Sequence, residues 1–158
     1  MRHLLCLVFA LPLCANWNSY VLSGATEGTF VSRLVQISGV FQERTYIAHR
    51  DAGGSLAITR FSGSSFTTKA VWAVTPSLPF AGLSPSGVLL VTFWNNSRYR
   101  FAMSVANNSG NCGPALEYYC GTVPMPAGHT STAMERIVGE VASNGTAHFL
   151  YTLCGRWR

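Results

Sequence analysis

Outside its N-terminal segment, the chain's best candidates for moving a proton near neutral pH are His49, His129 and His148. His49 stands two positions from Asp51, in His49-Arg50-Asp51, so a carboxylate could orient its imidazole. A hydrolase would use such a pair against a Ser or Cys nucleophile held beside the base. Serines are plentiful, but there is no Gly-x-Ser-x-Gly elbow, and Gly82-Leu83-Ser84-Pro85-Ser86 lacks the closing glycine. Phosphoryl-transfer enzymes also use a His-Arg-Asp triplet, yet no Gly-rich phosphate loop accompanies this one. Metal chemistry finds neither Cys-x-x-Cys nor His-Glu-x-x-His, and the histidines sit in separate segments. The sequence predicts a protein that is not an enzyme, with no metal site and no cofactor.

Two short stretches interleave base with aromatic: Arg98-Tyr99-Arg100-Phe101 and the terminal Arg156-Trp157-Arg158. Single-stranded nucleic acid is bound by such mixtures. Here the cations are scattered rather than clustered, which argues against a nucleic-acid partner. Strand alternation accounts for the first stretch, with Arg98 and Arg100 toward water and Tyr99 and Phe101 toward a core. Arg and Trp are favoured where proteins meet proteins. Arg98, Arg100, Arg156 and Trp157 are therefore the candidates for a binding surface.

The address comes from residues 1–15. A basic start (Arg2, His3) leads into an apolar run from Leu4 to Leu13 and then to the small Ala15, the order of a secretory signal peptide. The run is about half the ~20 residues a membrane span needs. Cleavage after Ala15 is expected, with Ala25 as the alternative, leaving residues 16–158 as one secreted domain without a transmembrane anchor. Without Arg2, the net charge falls from +5 to +4.

Cysteines and asparagines then take on extracellular meanings. With Cys6 and Cys14 removed, Cys112, Cys120 and Cys154 remain, an odd number that leaves one thiol free or available to link two subunits. A bridge from Cys154 to Cys112 or Cys120 is expected, because a longer closed loop constrains the unfolded chain more. A Cys112–Cys120 bridge is the alternative. Sequons begin at Asn95, Asn107 and Asn144, each in a turn-like stretch, and all three are expected to carry glycans.

The elements that must position these residues read as strands. Thr29–Val40, Thr45–His49, Ser55–Phe61 and Phe66–Thr75 are rich in β-branched and aromatic residues. Asp51-Ala52-Gly53-Gly54 reads as a turn and residues 75–87 as the longest loop. Val88–Trp94 and Arg98–Val105 flank Asn95-Asn96-Ser97 as a hairpin, and Val88-Leu89-Leu90-Val91 is apolar on both faces, as in a central strand. Ile137–Ala142 and Thr146–Cys154 flank Asn144-Gly145, a strong hairpin signal, with Ala147, Phe149, Tyr151 and Leu153 inward. A short helix over Met134–Val141 is the competing reading. The fold class is all-β: a single antiparallel β-sandwich, or a closed up-and-down β-barrel, of about 8–10 short strands.

Charged residues make up only 11% of the chain, well under the usual ~25%. This excludes a disordered tail. The function expected is a secreted, N-glycosylated protein-binding module of the receptor-ligand, decoy or immune-modulator type, virus-encoded ones included, with an extracellular protein partner. Four tryptophans and an aromatic share of 12% also suit an apolar-ligand carrier with a lipocalin-like or avidin-like barrel cavity. The start of the mature chain, Asn16-Trp17-Asn18-Ser19-Tyr20, lacks the Gly-x-Trp opening of lipocalins. A small secreted hydrolase ranks third.

Overall fold

The structure is a computed structural model that describes residues 24–62, 65–125, 127–128 and 134–153. Residues 1–15, expected as a signal peptide, and His129, Cys154, Arg156 and Trp157 lie outside the described residues. Ten strands run in chain order: β1 (Thr26–Ile37), β2 (Val40–Arg50), β3 (Leu56–Ser62), β4 (Ser65–Trp72), β5 (Ser77–Leu83), β6 (Leu89–Asn95), β7 (Arg98–Ser104), β8 (Tyr118–Thr122), β9 (Met134–Val141) and β10 (Ala147–Leu153). They form antiparallel sheets β1-β2-β3-β4 and β5-β6-β7-β8, with β9 and β10 as a separate hairpin. None closes into a barrel, which corrects that alternative. Between β4 and β5 the pairing lapses at Thr75-Pro76, and a proline has no N–H to give to a ladder.

Turn chemistry sets the first sheet. Ser38 and Gly39 both have positive φ (50° and 81°), the two-residue turn that matches strand twist. The stretch expected as one strand over Thr29–Val40 is therefore split, with Val40 opening β2. Between β2 and β3, the Asp51 carboxylate accepts the Ser55 amide at 2.8 Å and the Asp51 carbonyl accepts Gly54 N–H at 3.0 Å. The second sheet contains β5 where a loop was expected, with Pro79 on an edge strand and a register shift between Ser77 and Phe80.

Strand β6 organises the rest. Its odd residues Leu89, Val91 and Phe93 join one buried cluster with Val35, Ala48, Leu56, Ile58 and Val71 of the first sheet. Phe93 is 0% exposed and meets Trp72 edge-on, ring centroids 5.9 Å apart. On the opposite face, Gly139 of β9 sits against Leu90 and Thr92, where any Cβ would press on the leucine. Tyr99, Val123 and Ile137 form a second buried cluster there, with Trp94, Phe101, Met125 and Phe149 packed on it. Met134–Val141 is thus a strand and not a helix. Along β10, Ala147 and Phe149 are half-buried while His148 and Leu150 are exposed, the alternation expected for that hairpin.

Because β7 lies beside β6, both of its faces are also covered. Ala102 enters the first cluster and Phe101 packs on the second, correcting the picture of one face toward water. Phe93→Ala should destabilise the domain by about 3–5 kcal/mol, the usual cost of emptying an aromatic site in a packed core. Urea unfolding measures it, and a loss below about 1 kcal/mol would contradict this packing.

Candidate binding surface

The first sheet presents two faces of different chemistry. Val31 and Val35 of β1 and Tyr46 and Ala48 of β2 face the core, so their alternates face away. Phe30, Leu34 and Phe41 on that outward face are 74%, 60% and 64% exposed. Cross-strand pairing sets Phe30 opposite Ile47, Ser32 opposite Thr45, Leu34 opposite Glu43 and Gln36 opposite Phe41. Phe61 and Phe66, paired across β3 and β4 with centroids 4.8 Å apart, extend the apolar surface from beside Thr45. Ser32 Oγ donates to Glu43 Oε1 at 3.1 Å and lies 2.7 Å from Thr45 Oγ1, so the polar groups here serve one another. From Phe30 to Ala70, Glu43 is the one charge these strands direct outward among the described residues.

His49 and Asp51, which the sequence could have paired, each have other partners. His49 is 4% exposed, and its Nε2 lies 3.0 Å from Thr59 Oγ1. That hydroxyl shares a hydrogen bond with Thr68 Oγ1 at 2.8 Å. Asp51 instead holds its own turn through the Ser55 amide, so the two are not a pair. His148 is exposed on β10.

Arg98 is exposed at the start of β7. Arg100 is half-buried with its guanidinium 5.1 Å from the Trp72 ring centroid, a cation–π contact at the edge of the core and not a free surface group. Asn107 and Asn144 are exposed, Asn107 with φ 59° and Asn144 accepting the Thr146 amide at 3.0 Å. Asn95 differs: it is 6% exposed, and its Nδ2, the atom a glycan would occupy, donates to the Thr75 carbonyl at 2.9 Å.

Cys112 and Cys120 form the disulfide, with Cα atoms 5.2 Å apart, in place of the preferred bridge to Cys154. Local folding brings them together. Ala115 N–H donates to the Cys112 carbonyl, Tyr118 N–H to that of Ala115, and the Cys120 amide to Asn111 Oδ1 at 2.6 Å. The loop thus returns on itself before β8 begins.

Two larger concave regions adjoin the sheets. A cavity of about 560 Å³ between β1, β5 and the β9–β10 hairpin is lined by Val31, Phe80, Leu83, Val138, Phe149 and Leu150. Arg33 closes one side, donating to the Leu83 carbonyl at 2.9 Å and pairing with Glu140 at 3.7 Å. The second, about 680 Å³, is a cleft at one end of the sheets, with cations from β2, β3 and β4 on one wall and Glu117 and Tyr118 on the other. Burial first, then the nearby Tyr46 and Glu117, push the Tyr118 phenol well above its usual value, so it stays protonated. Burial works against ionisation of Glu117, but Lys69 and the residue's own backbone amide together bring its carboxyl below the usual range. No helix among the described residues is long and apolar enough to cross a membrane.

Compared with protein-family models, curated proteins and solved structures, the chain matches none.

For secreted protein, Asn107→Gln and Asn144→Gln should each remove one glycan from the intact mass, and Asn95→Ala none. Asn95→Ala should cost about 0.5–1.5 kcal/mol, the usual net worth of a hydrogen bond such as the one it makes to the Thr75 carbonyl. A glycan-sized mass loss on Asn95→Ala would contradict this geometry.

Proposed function

We propose that this chain is a secreted, N-glycosylated, non-enzymatic module that binds another extracellular protein through the outward face of β1–β4. One observation carries the reading: Phe30, Leu34 and Phe41 stand exposed together on a sheet face whose single charge is Glu43. Large apolar side chains left exposed together on one face are the kind of surface that protein partners cover. Depletion of charge with enrichment in aromatics is the composition of an interface core. The four strands contain no asparagine, so none of the sequons anchors a glycan within this face. In this reading the partner offers an apolar, weakly charged patch of its own.

The remaining parts follow the same line. We read the two four-stranded sheets as a β-sandwich, with the β9–β10 hairpin as a third layer. Signal cleavage after Ala15, or after Ala25, leaves Cys154 as the odd thiol beside the Cys112–Cys120 bridge. Cys154 is then the residue through which a disulfide-linked dimer would form. A second reading, a carrier of a small apolar ligand, draws on the 560 Å³ cavity between β1, β5 and the hairpin.

The test uses secreted, tagged protein and a panel of cell lines read by flow cytometry. Phe30→Asp and Phe41→Asp should each weaken saturable cell binding by roughly tenfold or more. Their unfolding midpoints should hardly move, because exposed substitutions typically change stability by no more than about 0.5 kcal/mol. Binding that survives both substitutions would overturn the assignment. Copurification of an apolar small molecule, seen by native mass spectrometry and lost in Phe149→Asp, would favour the carrier.

A further inference from the structure

The inward face of the first sheet changes character along its length. Ala48, Ile58 and Val71 bury it in the core, but the same alternation continues as Arg44 on β2, Arg60 and Ser62 on β3, and Ser65, Thr67 and Lys69 on β4. Register places Arg60 between Tyr46 and Thr67, and Ser62 opposite Ser65. The second sheet supplies Ser104, Val105, Glu117 and Tyr118 as the facing wall of the 680 Å³ cleft. That volume lies within the ~300–1,000 Å³ range of small-ligand sites.

Charge in this cleft is unbalanced. Lys69 is paired with Glu117, but neither Arg44 nor Arg60 has an acidic partner among the described residues. Arg44 stands directly across from Arg33 in the β1–β2 ladder, and like charges so placed repel. Its Nη2 reaches only the neutral Gln42 amide at 3.1 Å, and its Nε is buried with no hydrogen-bond partner. A buried guanidinium donor left unused calls for an acceptor. Around the two arginines, the cleft offers side-chain hydroxyls from Ser62, Ser65 and Thr67, and Ser104, whose Oγ accepts the Leu89 amide and keeps its own O–H to donate. Ile58, Val105 and the tyrosines give it an apolar floor.

We infer that this cleft binds an acidic saccharide, with Arg44 and Arg60 gripping its carboxylate or sulfate and the serine and threonine hydroxyls meeting its hydroxyls. Guanidinium groups suit bidentate contact with either oxyanion. The lining matches a ligand that is at once anionic and polyhydroxylated, which an inorganic anion or a neutral sugar is not. The site lies on the inward face of the sheet, away from Phe30, Leu34 and Phe41, and stands or falls separately from the protein-binding reading.

Isothermal titration calorimetry of the secreted chain tests it, with sialyllactose, a heparin disaccharide, lactose and sodium sulfate compared at one ionic strength. At least one acidic saccharide should bind roughly tenfold or more tightly than both lactose and sulfate, and Arg60→Gln should weaken it by a similar factor. The sialyllactose and heparin arms distinguish carboxylate from sulfate. Arg60 is exposed, so this variant should fold as the parent does, checked by its circular dichroism melt. Equal binding of sulfate and the acidic saccharides, no saccharide binding at all, or binding unchanged in Arg60→Gln would each overturn the inference.

Discussion

Strand β6 is apolar on both faces, and a strand in that condition has to be covered twice. Leu89, Val91 and Phe93 on one side and Leu90 and Thr92 on the other are all buried, and each set needs its own cover. The first sheet supplies one and the β9–β10 hairpin the other. From that requirement comes the order of the layers. The second sheet becomes the interior of the molecule, and the first sheet keeps Phe30, Leu34 and Phe41 exposed on its outward face, while His49, Ala57 and Thr59 on that face are buried. The proposed binding surface and the cleft are both consequences, since one is the outward face of the cover and the other is where the cover outruns what it covers.

Energetics favour this division of labour. Burial of apolar area at about 25 cal/mol per Å² rewards filling both sides of β6. Several polar groups that enter the interior come with partners: Asn95 Nδ2 meets the Thr75 carbonyl, and His49 meets Thr59. Arg44 Nε breaks that pattern, as do Thr92 Oγ1, Asn95 Oδ1 and Arg100 Nε. Phe30, Leu34 and Phe41 break it in the opposite sense, as large apolar groups left in water. Departures of both kinds concentrate at functional sites, where local consistency is given up for binding.

Much of the fold was legible in short-range signals. The hairpins at Asn96-Ser97 and Asn144-Gly145, the Asp51–Gly54 turn and the double-sided β6 all follow from residues within a few positions of one another. What escaped depended on quieter or longer-range features. Ser38-Gly39 hid inside an apolar run, although Ser-Gly is a turn signal. Prolines masked β5 because the sequence does not announce that it is an edge strand. The surface was harder still. Alternation separates Phe30 and Leu34 from Val31 and Val35, but only the opposing sheet decides which set is inside. Arg44, Arg60 and Lys69 are far apart in the chain and meet through strand register, while Arg100, which reads as a surface cation, is drawn onto Trp72 by a second layer.

Hydroxyl-radical footprinting of the monomer, read residue by residue by mass spectrometry, tests the layer order most directly. Phe30, Leu34 and Phe41 should be oxidised at rates typical of exposed side chains, with Phe93 almost untouched. Protection of Phe30 and Phe41 to the level of Phe93 would contradict the account.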